Sequence, residues 1–213
     1  MRQTLFLLMI LFLGVACSKQ VKKTQKVTEE AIPVQVKPPA KPKSKLEIKR
    51  DRIREVMIGN DSPDGNIRAE NGLTISTQAY RGKLLIIDFW ATWCGPCLQG
   101  APKFKELGDK YRSEKVEFIS ISIDRDYKTW NTFLLQQGWS SDEHFWMGMN
   151  KENPLFSFLY KEVDDEGKPL VIIGVPKYVF ISPDGKILYN EAEFPTNPTF
   201  EQRIKHLIEE IEE

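Results

Sequence analysis

Two kinds of hydrophobic spacing organise the chain beyond residue 50. Leu84-Leu-Ile-Ile-Asp-Phe89 is an almost unbroken apolar run, which predicts a central strand covered on both faces. Val116, Phe118, Ile119, Ile121 and Ile123 mark a second central strand. Between them Phe104, Leu107 and Tyr111 recur at helical spacing, and Trp130, Phe133 and Leu134 predict a helix after the second strand. Lys177-Tyr-Val-Phe-Ile181 and Lys186-Ile-Leu-Tyr189, joined by Ser182-Pro-Asp-Gly185, read as a β-hairpin. Phe200, Ile204, Leu207, Ile208 and Ile211 form one stripe of a final helix. Upstream, Gly59, Asp61-Ser-Pro-Asp-Gly65 and Asn71-Gly72 are turn signals flanking short segments around Ile67 and Leu73–Ile75, which predicts an N-terminal hairpin. The order is hairpin, strand, helix, strand, helix, an inserted region, hairpin, helix. It implies an α/β fold with a mixed central sheet flanked by helices.

The inserted region, residues 138–174, contains Trp139, Phe145, Trp146, Met147 and Met149, then Leu155–Tyr160. It is expected to add a strand and a helix with their own packing; a substrate-contacting surface is the alternative. Glu162, Asp164, Asp165 and Glu166 read as a solvated turn rather than a metal site.

Charge changes the picture at the N-terminus. The 213 residues carry 30 basic and 30 acidic side chains, but residues 1–50 hold 11 of the basic and 3 of the acidic ones. The remainder is acidic and would repel phosphates, so a nucleic-acid partner is not expected. Met1-Arg2 precedes an apolar run from Leu5 to Val15 that ends in Ala16-Cys17. A basic start, a short apolar core and small residues describe a bacterial secretory signal over residues 1–16. Gly14-Val-Ala-Cys17 resembles a lipobox, with Gly14 where lipoboxes usually have Leu, and implies lipidation of Cys17; a plain signal peptide is the alternative. Residues 17–50, rich in Lys and Pro, are expected to form a disordered tether, because they cannot bury enough apolar surface to offset their ordering entropy. Residues 51–213 are the expected folded domain.

The chemistry lies in Asp88-Phe-Trp-Ala-Thr-Trp-Cys-Gly-Pro-Cys97, which follows a strand and opens a helix. With the Val175-Pro176 pair before a strand and the Pro-Asp-Gly hairpin, it resembles the thioredoxin superfamily, and residues 55–213 resemble its TlpA/ResA-like envelope branch. Two residues between cysteines at a helix start let both sulfurs reach disulfide geometry. The first sulfur faces unpaired N–H groups at the positive helix end, which favours the thiolate. Cys94 is therefore the expected nucleophile and Cys97 the resolving thiol. Pro96 has no N–H to leave unpaired in the first turn. Asp88, six residues before Cys94 inside an apolar strand, matches the buried base of thioredoxins; a strand-edge Asp reaching water is the alternative. The TlpA/ResA branch tends to carry Glu three residues after the second cysteine, where this chain has Gly100. Val175-Pro176 resembles the cis-proline pair that presents backbone to a substrate chain, and Lys177 stands where many thioredoxins have Thr. Trp93, Gly95 and Pro96 complete the expected client-contacting surface, and Trp90 serves packing or chemistry.

The resemblance implies a monomeric, lipid-anchored, periplasm-facing reductase of disulfides in envelope proteins. Cytochrome c maturation and redox homeostasis are the implied settings. The reductase would need an upstream electron donor and no cofactor beyond its own dithiol. A zinc knuckle lacks a second ligand pair, since His144 and His206 each stand alone. A thiol peroxidase is a further alternative; peroxiredoxins usually show Pro-x-x-x-Thr-x-x-Cys, whereas here Thr92 is two before Cys94 and the proline is missing. A copper-delivery protein of the Sco type would need wider cysteine spacing and a partnered histidine. A non-catalytic lipid-anchored binding module remains the reading from a different class.

Overall fold

The structure, a computed structural model, describes residues 43–139, 143–165 and 168–212. Cys17 and the signal segment lie outside the described residues, as does Glu166. Helix α1 spans Lys45–Glu55, six residues into the segment expected to be a disordered tether. Its start is a capping box. The Ser44 hydroxyl accepts the Glu47 N–H at 3.2 Å, and the Glu47 carboxylate accepts the Ser44 N–H at 2.7 Å. The Lys-rich composition around it conceals this local signal. Arg50 donates twice to Glu162, and Lys49 donates to the Val171 carbonyl, so the helix is tied to the inserted region.

Strands β1 (Asn66–Ala69) and β2 (Thr74–Ser76) form the expected hairpin, with Ile67 opposite Ile75 and Gly72 supplying a positive φ of 87° in the turn. Strand β3 (Leu84–Trp90) is buried at every position. Helix α2 (Gly95–Tyr111), strand β4 (Val116–Ser122) and helix α3 (Tyr127–Gln137) follow. In α3, Asp126 caps the first turn by accepting the Thr129 N–H at 2.7 Å, and Gly138 ends the helix in the left-handed conformation.

The inserted region contributes β5 (His144–Trp146), a 3-10 turn at Pro154–Leu159, and an antiparallel pair, β6 (Tyr160–Asp165) with β7 (Lys168–Ile173). The expected helix is thus a buried 3-10 turn, and the acidic residues Glu162, Asp164 and Asp165 belong to a strand rather than a solvated turn. The hairpin β8 (Lys177–Ile181) and β9 (Ile187–Tyr189) precedes helix α4 (Pro198–Glu212).

Seven strands form one mixed sheet in the order β2-β1-β5-β4-β3-β8-β9. Strand β1 pairs with β5, so the N-terminal hairpin extends the main sheet instead of standing apart from it. Alternation along β3 splits the core. Leu85, Ile87 and Phe89 join Trp130 and Leu134 of α3 on one face, while Leu84 and Ile86 join Phe104 and Leu107 of α2 and Phe200 and Ile204 of α4 on the other. This is the α/β architecture expected of the resemblance.

Candidate active site

The end of β3 delivers the chain directly into the dithiol. Cys94 is the residue before α2, Gly95 and Pro96 open the helix, and Cys97 completes its first turn. Cys94 and Cys97 are joined as a disulfide, with Cα atoms 5.2 Å apart. The Cys97 N–H donates to the Cys94 sulfur at 3.3 Å, so an otherwise unpaired helix-start N–H is aimed at the sulfur that would carry charge. Cys97 is wholly buried, whereas Cys94 retains 5% exposure. The surface around them is formed by Trp93, which is 66% exposed, with exposed Gly95 and Pro96. Cys94 is thus not itself exposed, and the nucleophilic sulfur sits just beneath a surface made by its neighbours.

The loop before Cys94 is fixed by a residue the sequence reading missed. Asp124, buried at the end of β4, accepts the Thr92 N–H at 3.0 Å, the Thr92 hydroxyl at 2.8 Å and the Ser122 hydroxyl at 2.7 Å. A buried carboxylate taking three donors is well compensated. The available signal was an acidic residue closing an apolar strand, two positions after a serine. Thr92 is thereby turned toward Asp124, away from any role as a partner to the sulfur.

The Val175–Pro176 peptide is cis. Phe89 pairs with Lys177, so Pro176 stands beside the C-terminal end of β3, where the dithiol begins. Val175 packs on the core cluster that includes both cysteines. Lys177 is buried and reaches Glu191 at 3.9 Å; burial lowers its pKa.

Asp88 is 2% exposed, and its Oδ1 has no hydrogen-bond partner among the described residues. Burial raises its carboxyl to about 8, because desolvation disfavours the charged form. Asp88 lies on the sheet face shared with α2, in register with Tyr178 of β8. Burial pushes the Tyr178 phenol up, and the nearby Asp88 charge pushes it further. No hydrogen bond joins Asp88 to Cys97 among the described residues. Trp90 is core, 2% exposed and packed on Phe133 and Trp139. His144 is buried and His206 exposed. Among the described residues no group of three or more His, Cys, Asp or Glu comes together to hold a metal ion, and no helix is long and apolar enough to cross a membrane.

Residues 57–204 match the Redoxin family. The thiol-disulfide oxidoreductase ResA of Bacillus thuringiensis subsp. konkukian is 25% identical over 150 residues, covering 70% of this chain and 78% of that protein. Thioredoxin of Coprinus comatus is 46% identical over 43 residues, 20% of this chain and 41% of that protein. Among solved structures, the thioredoxin domain of a thiol-disulfide oxidoreductase from Bacteroides vulgatus superposes with a TM-score of 0.55 at 18% identity, covering 70% of this chain and 98% of that one. A thiol:disulfide interchange protein from Bacteroides sp. gives 0.55 at 18% identity, covering 71% and 92%. Both structures share the fold. With the family match running through the dithiol and over more than two thirds of its length, the chain belongs to the Redoxin family, in its TlpA/ResA-like thioredoxin branch, and is a thiol–disulfide oxidoreductase.

Proposed function

We propose that the protein reduces disulfides of envelope proteins from a membrane tether, and the observation that carries this reading is the Cys97 N–H aimed at the Cys94 sulfur at the head of α2. In the reduced enzyme the Cys94 thiolate attacks one sulfur of a client disulfide, forming a mixed disulfide and expelling the second client sulfur as a thiolate. Asp88 accepts the Cys97 proton, and the Cys97 thiolate then attacks Cys94. The client sulfur held in the mixed disulfide leaves as a thiolate, the client has gained two electrons, and the enzyme holds the Cys94–Cys97 disulfide. A donor of two electrons restores the dithiol.

Trp93, Gly95, Pro96, Val175 and Pro176 form the client-contacting surface, with backbone at the cis-proline and an exposed indole beside the sulfur. Lipidation of Cys17 anchors the chain on the periplasmic side of the envelope. Cytochrome c maturation is one setting that suits a reducing partner there.

The activity is tested by following insulin-disulfide reduction and hydroperoxide consumption side by side. Insulin reduction that depends on Cys94, with no peroxide turnover, is the expected result. Peroxide turnover without insulin reduction would favour a peroxidase, and neither activity a binding module. The tether is tested separately: Cys17→Ser should move the protein from the membrane to the soluble envelope fraction, and an unchanged membrane fraction would overturn it.

A further inference from the structure

Four polar side chains cross the apolar sheet in a single row. Tyr178 on β8 stands opposite Asp88 on β3, Asp88 beside Ser120 on β4, and Ser120 beside His144 on β5. Residues in register share a face, and this face is the one covered by α2. Three of the four carry a buried polar atom with no partner among the described residues: the Tyr178 hydroxyl, Asp88 Oδ1 and His144 Nδ1. Buried polar groups are normally paired with protein or ordered water, so three such atoms in one row require a common explanation.

The space beside the row supplies one for two of them: Asp88 and His144 line it, whereas Tyr178 does not. A cavity of about 370 Å³ runs between α2 and the sheet, with Asp88, Trp90, Ser120, Trp139 and His144 among its walls. The Trp90 Nε1–H also lacks a partner among the described residues. The volume is enough for several water molecules at about 30 Å³ each. At its outer side the cavity reaches Lys105, Glu106 and Asp109, exposed on α2, and the half-buried Glu143. Cys97 is not among its walls.

We propose that this cavity is a hydrated proton-exit path that carries the proton from Asp88 away from the dithiol face, with His144 as its relay. The inference rests on the reading of Asp88 as the base for resolution. Each turnover leaves a proton on a buried carboxyl, which must lose it before serving again. The proton passes from Asp88 to cavity water and from water to His144 Nδ1. The ring then releases its other proton from Nε2, and the tautomer resets with no net change. Nδ1 is buried, so the 9% exposure of His144 lies on its other atoms. Burial, aided by the Lys105 charge, lowers the His144 pKa to about 4, which keeps the imidazole neutral and able to accept as well as donate near neutral pH. Among the other groups facing the path, Lys105 is paired with Asp109 and Glu143 with Arg112. Glu106 pairs with Lys103. Tyr178 stays a neutral hydroxyl.

The test reads, at pH 7, the rate at which Cys97 resolves a chromogenic mixed disulfide on Cys94 during continuous turnover, with client disulfide and a dithiol reductant in excess, so that Asp88 must shed its proton in every cycle. His144→Ala should slow resolution about three- to tenfold, a part of the roughly 10²-fold or greater benefit of general acid–base catalysis. Added imidazole should restore most of the loss, an outcome that a merely structural defect would not give. His144→Gln, which keeps a polar side chain for packing but cannot shuttle a proton, should be slowed in the same way. In an Asp88→Asn background neither substitution should slow resolution further. An unchanged rate in folded His144→Ala or His144→Gln would overturn the proposal. So would slowing that imidazole does not relieve, or slowing that persists with Asp88→Asn. If Asp88→Asn alone leaves the rate and pH profile unchanged, the reading of Asp88 as base fails; if it slows the reaction while the His144 variants do not, only the exit path fails.

Discussion

A methyl group added at Gly100 would lie 2.8 Å from the hydroxyl of Tyr178. The same carbon would lie 2.8 Å from Cζ of Phe194. The TlpA/ResA branch tends to have Glu at this place, one turn after the second cysteine. Here the space is taken by a tyrosine from the strand after the cis-proline and by a phenylalanine from the approach to α4. The chain thus keeps Asp88 on this side of the sheet and closes the position where a carboxyl from α2 would enter. Gly100→Ala should cost about 1–3 kcal/mol of stability through overpacking. Tyr178→Phe removes a hydroxyl unpaired among the described residues and should be neutral or stabilising. Combining the two should recover part of the Gly100→Ala loss, because the two sites share one contact. Urea unfolding of the two single variants and the double variant would measure this.

Asp88 gives stability a pH dependence whose sign follows from its burial. Its carboxyl titrates at about 8 in the fold against 3.8 when free. Between these values the unfolded chain has released a proton that the folded chain keeps, so stability is greatest below about pH 4 and falls as pH rises toward 8. Asp88→Asn removes that slope. Its advantage over the wild type should grow from little at pH 4 to an amount on the order of 4 kcal/mol at pH 7. Urea midpoints at several pH values would show the two curves diverging.

The kinetic counterpart has the opposite cost. Without the carboxylate, Cys97 must ionise unaided, and burial raises a thiol above its ordinary value of about 8.5. Resolution in Asp88→Asn should be slow near neutral pH and recover under alkaline conditions. Stopped-flow reduction of a model disulfide across the pH range would detect this as loss of the lower inflection.

Asp124 holds the loop that precedes Cys94. Asp124→Ala strands the Thr92 N–H and two hydroxyls that it now accepts. The expected loss is about 2–4 kcal/mol, against about 1 kcal/mol for Thr92→Val, which removes one donor together with its need for a partner. Insulin reduction should fall further in Asp124→Ala than in Thr92→Val, since only the former frees the backbone next to the sulfur.

Attack order is checked by trapping. Cys97→Ser should accumulate mixed disulfides through Cys94, and Cys94→Ser should accumulate few, because Cys97 is wholly buried. Non-reducing gels of the two variants would reveal equal trapping if the assignment were reversed.

Local patterns in the sequence revealed most of the fold. The apolar run of β3, the hairpin of β8 and β9 and the stripe on α4 each follow from spacing alone. Asp88 was legible because a carboxylate in an apolar strand demands a reason. Pairing between β1 and β5 was not, since it joins segments more than 70 residues apart through register that no local pattern encodes. The same limit hid the row of Tyr178, Asp88, Ser120 and His144, four residues on four strands that meet only once the sheet is assembled. The start of α1 was missed for a different reason: the Ser44–Glu47 capping box is local, but the surrounding Lys and Pro content outweighed it.

The reduction potential of the Cys94–Cys97 pair tests the central claim, that this dithiol donates electrons to clients. Equilibration against thiol–disulfide buffers of known potential would provide it. A reductase of this motif should fall nearer the roughly −270 mV of thioredoxin, whereas a value near the roughly −120 mV of DsbA would mean that the protein oxidises its clients.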